Sequence, residues 1–389
     1  MALEQMGALA TGWLSLFCLA ISMFGSICAV GAAWAARWFV RRPASAVPVT
    51  WPDISILKPL SGVEAQLSEH IETYFNQDYP GDIQFVFGVQ DPDDGAIPVV
   101  QALMRRYRQL DLQLVVNRAT HGSNRKVSNL INMGQVARHP LIVLADSDVA
   151  VGPDYLRTLA AALAEPGVGV VTCLYRGLPN GGFWSRLSAM GIHDHFLPGA
   201  AVGLALGLAR PCLGQTIALN RETLSRIGGF EAVANELADD YAIGKAARLA
   251  GFRVVLPTML VAHSFEEKSL REVVRHELRW ARTIFTVDPL GHVGSGVTHA
   301  LPLSLIGAAL RGFDAWGLAA VLTALACRLF LKFRLTREFG LPSPNYSLTL
   351  ARDILSFAVY FGSFWSARVS WRGREFIVRR DGTMERAIR

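Results

Sequence analysis

The chain has 389 residues, 51% hydrophobic and 18% charged, with a formal net charge of +6. That length allows one large domain or two ordinary ones. The apolar residues gather in segments flanked by basic ones, which reads as membrane-surface bias and not as a nucleic-acid footprint. The five cysteines (Cys18, Cys28, Cys173, Cys212, Cys327) are scattered without a CxxC pair, which argues against a disulfide framework or a zinc site.

Residues 5–36 carry no charged side chain, a run long enough to cross a bilayer with some tilt. Arg37, Arg41 and Arg42 follow it, so the positive-inside bias puts its C-terminal side in the cytoplasm. A cleaved signal peptide fits worse, because the run is too long and its positive charge lies on the wrong side. Residues 1–42 read as a membrane anchor and 43–53 as a linker.

From 54 to 290 short apolar runs alternate with amphipathic stretches. Strands are expected at 54–60, 83–90, 112–117, 141–145, 168–174 and 252–256. Helices are expected at 64–76, 97–110, 126–138, 153–165, 237–250 and 269–284. Such alternation implies an α/β domain with a mostly parallel sheet covered on both faces. The span is organised around Val143-Leu144-Ala145-Asp146-Ser147-Asp148. A buried strand ends there on two carboxylates, at the sheet edge where open α/β folds bind ligands. Asp146 and Asp148 suit a shared hard cation such as Mg²⁺ or Mn²⁺, which keeps sites open for a diphosphate. Capping the next helix is the plainer account.

Other candidates follow the same pattern. Asp91 ends the second strand and suits a nucleobase or ribose, while a turn-forming Asp-Pro fits Asp93 and Asp94 better than Asp91. Lys126 opens a helix after Gly122, where a cation meets phosphate or ribose, or solvent. Residues 196–209 are apolar and charge-free, and read as interfacial, re-entrant or a buried core helix. One functional account makes them a wall of a lipid-entry slot, with His193, Asp194 and His195 lining it or simply satisfied. Asp239 and Asp240 open a helix whose dipole they suit, and one of them is a candidate general base. His263 follows a strand-like stretch and is a candidate third metal ligand. On the helix around His276, Arg279 suits a departing diphosphate and Trp280 a sugar or acceptor.

Beyond 290 the chain turns apolar again. Residues 293–310 and 315–330 are candidate spans with Arg311 and Asp314 in the loop between them. Arg328, Lys332, Arg334 and Arg337 then mark a return to the cytoplasm. Residues 354–367 read as interfacial or re-entrant, followed by a basic tail (Arg368, Arg372, Arg374, Arg379, Arg380). Residues 291–389 thus form C-terminal membrane segments and a tail.

Asp91, Asp146, Asp240 and Arg279-Trp280 fall in the order and approximate spacing of the D, D, D, (Q/R)xxRW signature. The chain therefore resembles family 2 and family 21 glycosyltransferases of the GT-A fold. Ile56-Leu57-Lys58-Pro59-Leu60-Ser61-Gly62, Tyr79-Pro80, Val89-Gln90-Asp91, Asp239-Asp240-Tyr241 and Ser370-Trp371-Arg372-Gly373-Arg374 resemble blocks of ceramide glucosyltransferases. His276 to Thr283, 259–265 and 196–209 look more like the family's bacterial hopanoid-biosynthesis branch. His276 departs from the (Q/R) of the signature, and Asp148 is present where animal members often lack the second acid.

The resemblance implies a membrane-bound inverting transferase with a cytoplasmic GT-A domain, in a bacterial inner membrane and multi-pass. The donor would be a UDP-sugar and the acceptor a lipid hydroxyl, either bacteriohopanetetrol receiving N-acetylglucosamine or ceramide receiving glucose. It gives Asp91 to the uracil and Lys126 to the ribose or diphosphate. Asp146 and Asp148 would hold the nucleotide through Mg²⁺ or Mn²⁺, and Arg279 the leaving diphosphate. Asp240 would be the base, with Trp280 beside the sugar or acceptor, and His276, Asp239 and His263 in support. The contrasting class is a lipid- or nucleotide-binding protein on the same scaffold without turnover.

Overall fold

The computed structural model describes residues 2–365, 368–371, 374–378 and 383–386. Arg372, Gly373, Arg379 and Arg380, part of the C-terminal block and basic tail, lie outside them. In chain order the first elements are α1 (Ala2–Val40), β1 (Ile54–Pro59), α2 (Leu67–Phe75), β2 (Ile83–Val89), α3 (Ala96–Arg106) and β3 (Asp111–Val116). Next come α4 (Arg125–Gly134), β4 (Leu141–Ala145), β5 (Val149–Ala150), α5 (Tyr155–Leu163), β6 (Val168–Thr172) and β7 (Leu174–Pro179). Then follow α6 (Phe183–Gly191), a π-helical turn (Ile192–Phe196), α7 (Leu197–Ala205), β8 (Thr216–Asn220), α8 (Arg221–Arg226), α9 (Asp239–Leu249), β9 (Arg253–Val255) and β10 (Leu260–Phe265). The rest is α10 (Leu270–Val287), α11 (Pro289–Gly294), α12 (Ala300–Leu310), α13 (Ala315–Phe339), α14 (Thr349–Ser363) and three short strands between Arg368 and Arg386.

Two compact units result. An α/β unit holds Arg42–Gly181, Arg210–Glu266 and Arg368–Arg389, and a helical unit holds Met1–Arg41, Gly182–Ala209 and Glu267–Ala367. This division differs from a continuous domain over 54–290, since 182–209 and 267–290 belong with the helices. The chain leaves the α/β unit after β7 and returns before β8. The 43–53 segment is tied into the α/β unit, with Ser45 Oγ donating to Glu165 at 2.8 Å and Trp51 packed edge-on against Tyr79.

In the α/β unit the main sheet runs β3-β2-β1-β4-β8-β6-β9. β1 through β4 are mutually parallel, β8 is antiparallel to both its neighbours, and β6 and β9 are parallel. β1, β2 and β4 are buried on both faces, as continuous Ile, Val and Leu runs require. The expected strand over 168–174 breaks at Cys173 into β6 and β7. β7 leaves for a second sheet, β5-β10-β7.

In the helical unit α1 packs along α12 and α13 through small polar residues. Ser15 Oγ donates to the Gly307 carbonyl and Ser22 Oγ to that of Ala300, both at 2.8 Å. Such hydrogen bonds let helices approach closely in an apolar setting. By length and composition, Gln5–Val40 is the one single helix among the described residues fit to cross a bilayer. The expected span over 293–310 falls on a pair of helical pieces that are apolar enough together and are bent by 62° near His299, the shape of a broken span or a re-entrant loop. α13 does not reach that apolarity by itself. Its Arg328 and Lys332 are not solvent-facing marks of a cytoplasmic end, because both are buried and pair with Asp353 and Asp194. Asp194 and His195 are accordingly satisfied polar residues, His195 Nε2 lying 3.1 Å from Asp353. α14 covers most of the stretch taken as interfacial, and it packs against α10.

Candidate active site

β4 delivers Asp146, Ser147 and Asp148 at the C-terminal edge of the parallel strands, where the apolar run stops. Lys58, from the end of β1, is fully buried and donates to the Asp146 carbonyl at 2.9 Å while lying 3.8 Å over the Tyr74 ring. Burial pulls its pKa down to about 7 against the opposing pull of Asp146 and Asp148.

A second group arrives on the N-terminus of α4. Asn124 caps that helix by accepting from Val127 N, and its Nδ2 reaches the Glu236 carbonyl at 2.8 Å and Asp239 Oδ1 at 3.3 Å. Gly122 permits this approach, since a Cβ there would fall 2.4 Å from the Ala234 carbonyl oxygen. The loops before α4 and α9 therefore meet, and Lys126 is brought to the acids. Its Nζ lies 2.6 Å from Asp146 Oδ1 and 3.7 Å from Asp239 Oδ2. Burial lowers the Lys126 pKa, but Asp146 and Asp239 outweigh it and the net shift is upward, so Lys126 stays charged.

Asp240 completes the group. Its Oδ2 accepts the Gly214 N–H at 2.8 Å and its Oδ1 accepts the Tyr241 N–H at 2.8 Å. Burial first, then the neighbouring Asp239 charge, push its carboxyl up to about 6. Gly214 stands at the centre. The point where its Cβ would be lies 3.2 Å from Asp240 Oδ2, 3.4 Å from Lys126 Nζ and 3.5 Å from Asp146 Oδ2.

Lys126, Asp146, Asp239 and Asp240 are thus brought together. Gly214 was missed, because a loop glycine before an unrecognised strand carries no chemical signal. Asp148 sits beside His263, whose Nδ1 is 3.4 Å from Asp148 Oδ1 and whose ring packs on Phe265 and Tyr175. Asp91 ends β2, two strands along the same edge from β4. It is exposed, and its Oδ1 accepts the Asp93 N–H in a turn at 3.1 Å. The turn account therefore applies to Asp91 itself. Its neighbour Gln90 accepts from Arg125 Nε at 3.1 Å, linking β2 to the start of α4.

Among the described residues no three His, Cys, Asp or Glu side chains form a ready-made metal cluster. His263 is therefore not gathered with both acids as a third ligand of one preformed set. Asp146 and Asp148 still fit a Mg²⁺-type ion, which takes one or two carboxylates and completes its shell with phosphate oxygens and water. His276, Arg279 and Trp280 lie on α10 in the helical unit. His276 Nδ1 is 2.5 Å from Glu267 Oε1, and its ring packs 4.4 Å from that of Trp280.

The sequence profile of Glycosyl transferase family 21 matches residues 17–384, and the chain belongs to that family. Ceramide glucosyltransferase 1 of Caenorhabditis elegans is 24% identical over 66% of this chain and 57% of its own length. The matched part of the chain thus spans a little over half of that relative. An N-acetylglucosaminyltransferase of Bradyrhizobium diazoefficiens is 23% identical over 82% of this chain and 72% of its own. A mannosyltransferase from Pyrobaculum calidifontis, solved with GDP-Man and Mn²⁺, covers 90% of this chain and 99% of its own at 19% identity and a TM-score of 0.54. That likeness shows the fold, a GT-A α/β domain.

Proposed function

We propose that the protein is a membrane-anchored inverting glycosyltransferase that moves a sugar from a UDP-sugar to a lipid hydroxyl. The reading places it in a bacterial inner membrane as a multi-pass protein, with the α/β unit at the cytoplasmic face. The observation that carries it is the gathering of Lys126, Asp146, Asp239 and Asp240 around Gly214 at the sheet edge. Nucleotide-sugar transfer needs a cationic hold on a departing diphosphate and a base for the acceptor. Lys126 beside Asp146 supports the first role, and the buried Asp240 supports the second.

Asp91 takes the uracil and Lys126 the diphosphate end of the donor. Asp146 and Asp148 would hold a Mg²⁺ or Mn²⁺ ion, which would supply positive charge to the leaving group. Asp240, ionised, removes the proton of the acceptor hydroxyl. The freed oxygen attacks the anomeric carbon from the face opposite UDP, the bond to the diphosphate breaks, and configuration inverts in one displacement. Arg279 is a second cation for the diphosphate and Trp280 stacks on the sugar or acceptor.

The preferred pair is N-acetylglucosamine onto bacteriohopanetetrol, in keeping with the N-acetylglucosaminyltransferase relative that matches most of the chain. A second reading, glucose from UDP-glucose onto ceramide, is favoured by the ceramide glucosyltransferase relatives. Lipid mass spectrometry of cells with the gene deleted and restored separates them. The expected result is loss and return of an N-acetylhexosamine-bearing hopanoid, with the bare tetrol accumulating. Loss of a hexosylceramide would move the assignment to ceramide, and no change in either lipid would remove both acceptors.

A further inference from the structure

Consecutive residues of α14, Arg352 and Asp353, are only 1% and 3% exposed. Asp353 meets Arg328 of α13 at 2.6 Å and His195 of the π-helical turn at 3.1 Å. Arg352 serves different helices. Its terminal nitrogens donate to the two carboxylate oxygens of Glu277 on α10 at 2.7 and 2.5 Å. They also donate to the Leu187 carbonyl on α6 at 3.0 Å and to Ser356 Oγ at 2.8 Å. The planar guanidinium thus uses its fork on one carboxylate and a spare donor on a third helix, which a lysine could not do.

α10 is the helix that carries His276, Arg279 and Trp280. In its first half His276 pairs with Glu267, and near its end Phe285 packs on Phe364 of the α14 end at 5.0 Å. Glu277 lies between these anchors, less than one turn from Arg279 and Trp280. A helix segment this short turns as one body, so the side-chain grip on Glu277 sets the direction in which Arg279 and Trp280 leave the axis. Stability alone does not call for such a pair, since buried ion pairs exchanged for apolar residues of similar volume are often neutral or stabilising. What the pair adds is one rotation and register of α10.

We propose that the Arg352–Glu277 pair is a positioning device that sets α10 so that Arg279 and Trp280 serve the transfer step, an inference that rests on the transferase reading above. Neither residue touches the reacting atoms in this account. Asp353, through Arg328 and His195, braces α14 against the rest of the helical unit, and so gives Arg352 a fixed base.

The test compares full-length wild type with Glu277→Leu/Arg352→Met and with Arg352→Lys, by thermal unfolding, UDP binding, steady-state transfer and hydrogen exchange. The double variant is expected to keep its unfolding temperature while kcat falls about tenfold or more, with UDP affinity and donor KM changing by less than kcat because Lys126 still faces the diphosphate. Arg352→Lys keeps the charge but not the fork, and its kcat is expected between the two. A double variant with kcat within about twofold of wild type overturns the proposal, as does a kcat that falls only in step with stability across both variants. Exchange of the α10 amides reads the clamp without turnover. It is expected to quicken in the double variant, and unchanged exchange overturns the clamp. A wild type that transfers no sugar would instead count against the transferase reading, with the exchange result still deciding the clamp.

Discussion

Asp240 Oδ2 accepts the backbone N–H of Gly214 at 2.8 Å. The bond orients the carboxylate and also draws the loop before β8 against Lys126 and Asp146. Only a hydrogen occupies the position that faces all three side chains.

Gly214→Ala follows from that geometry. The added methyl would meet Asp240 Oδ2 at 3.2 Å and Lys126 Nζ at 3.4 Å, tight contacts that small side-chain shifts relieve. The fold is expected to survive, as circular dichroism would read, while kcat falls about tenfold because the methyl takes space the donor needs. Wild-type kcat in this variant would show that the space is not used.

Activity should depend on pH through Asp240. Burial and then Asp239 push its carboxyl up to about 6, and a base must be ionised to act. The acidic limb of the kcat/KM profile is expected near 6. An acidic limb at the ordinary carboxylate value would remove Asp240 from the role.

The same shift has a sign for stability. The folded pKa of Asp240 lies above its ordinary 3.8, so the folded state holds the proton more tightly than the unfolded one. The stability this gives is full below 3.8 and is lost as pH rises through about 6. Asp240→Asn removes the folding cost of the ionised carboxylate but turns its amide NH2 towards the Gly214 or Tyr241 N–H. It is therefore the pH-dependent part of its stability relative to wild type that is expected to shrink as pH falls from about 6 towards 3.8. A difference in unfolding temperature between the two that stays constant across this pH range would show that the ionised carboxylate carries no folding cost.

Divalent-ion dependence tests the strand-end acids. Chelation is expected to stop transfer and Mn²⁺ or Mg²⁺ to restore it, with Asp148→Asn raising the ion concentration for half-maximal rate by about tenfold. Full turnover under chelation would leave Lys126 as the cation that faces the diphosphate in the α/β unit.

Lys126→Met would leave Asp146 and Asp239 facing one another without their shared cation. It is expected to cost roughly 1–3 kcal/mol in chemical denaturation, less than a fully buried pair because water reaches the site, and to raise donor KM. An unchanged KM would assign Lys126 a folding role alone.

Much of this architecture was legible in the residues. β4 falls at 141–145 because an apolar run ends sharply on Asp146, and β1, β2 and β3 match their expected places within a residue or two. Strands that break the β-helix-β rhythm were not legible. β8 is an antiparallel insertion whose short apolar run, Thr-Ile-Ala-Leu-Asn, has no helix between it and β6 to fit the alternation beyond 182–209, and β10 hides His263 and Ser264 in a buried strand. Pairing across long separations was equally invisible. Arg328 and Lys332 look like cytoplasmic flank charges until Asp353 and Asp194 are seen beside them. Asp146 stood out because it ends an apolar strand and Asp239 and Asp240 because they open a helix, whereas Gly214 matters only through what surrounds it.

The most direct test of the central claim is Asp240→Asn in purified full-length protein, followed by UDP binding and by sugar transfer to a lipid acceptor under the same conditions. The expected result is UDP bound with near wild-type affinity and transfer abolished, because the nucleotide hold remains and the base is gone. Transfer at the wild-type rate would contradict the account, since the proton would then leave the acceptor by another route and the cluster around Gly214 would not be the reacting site.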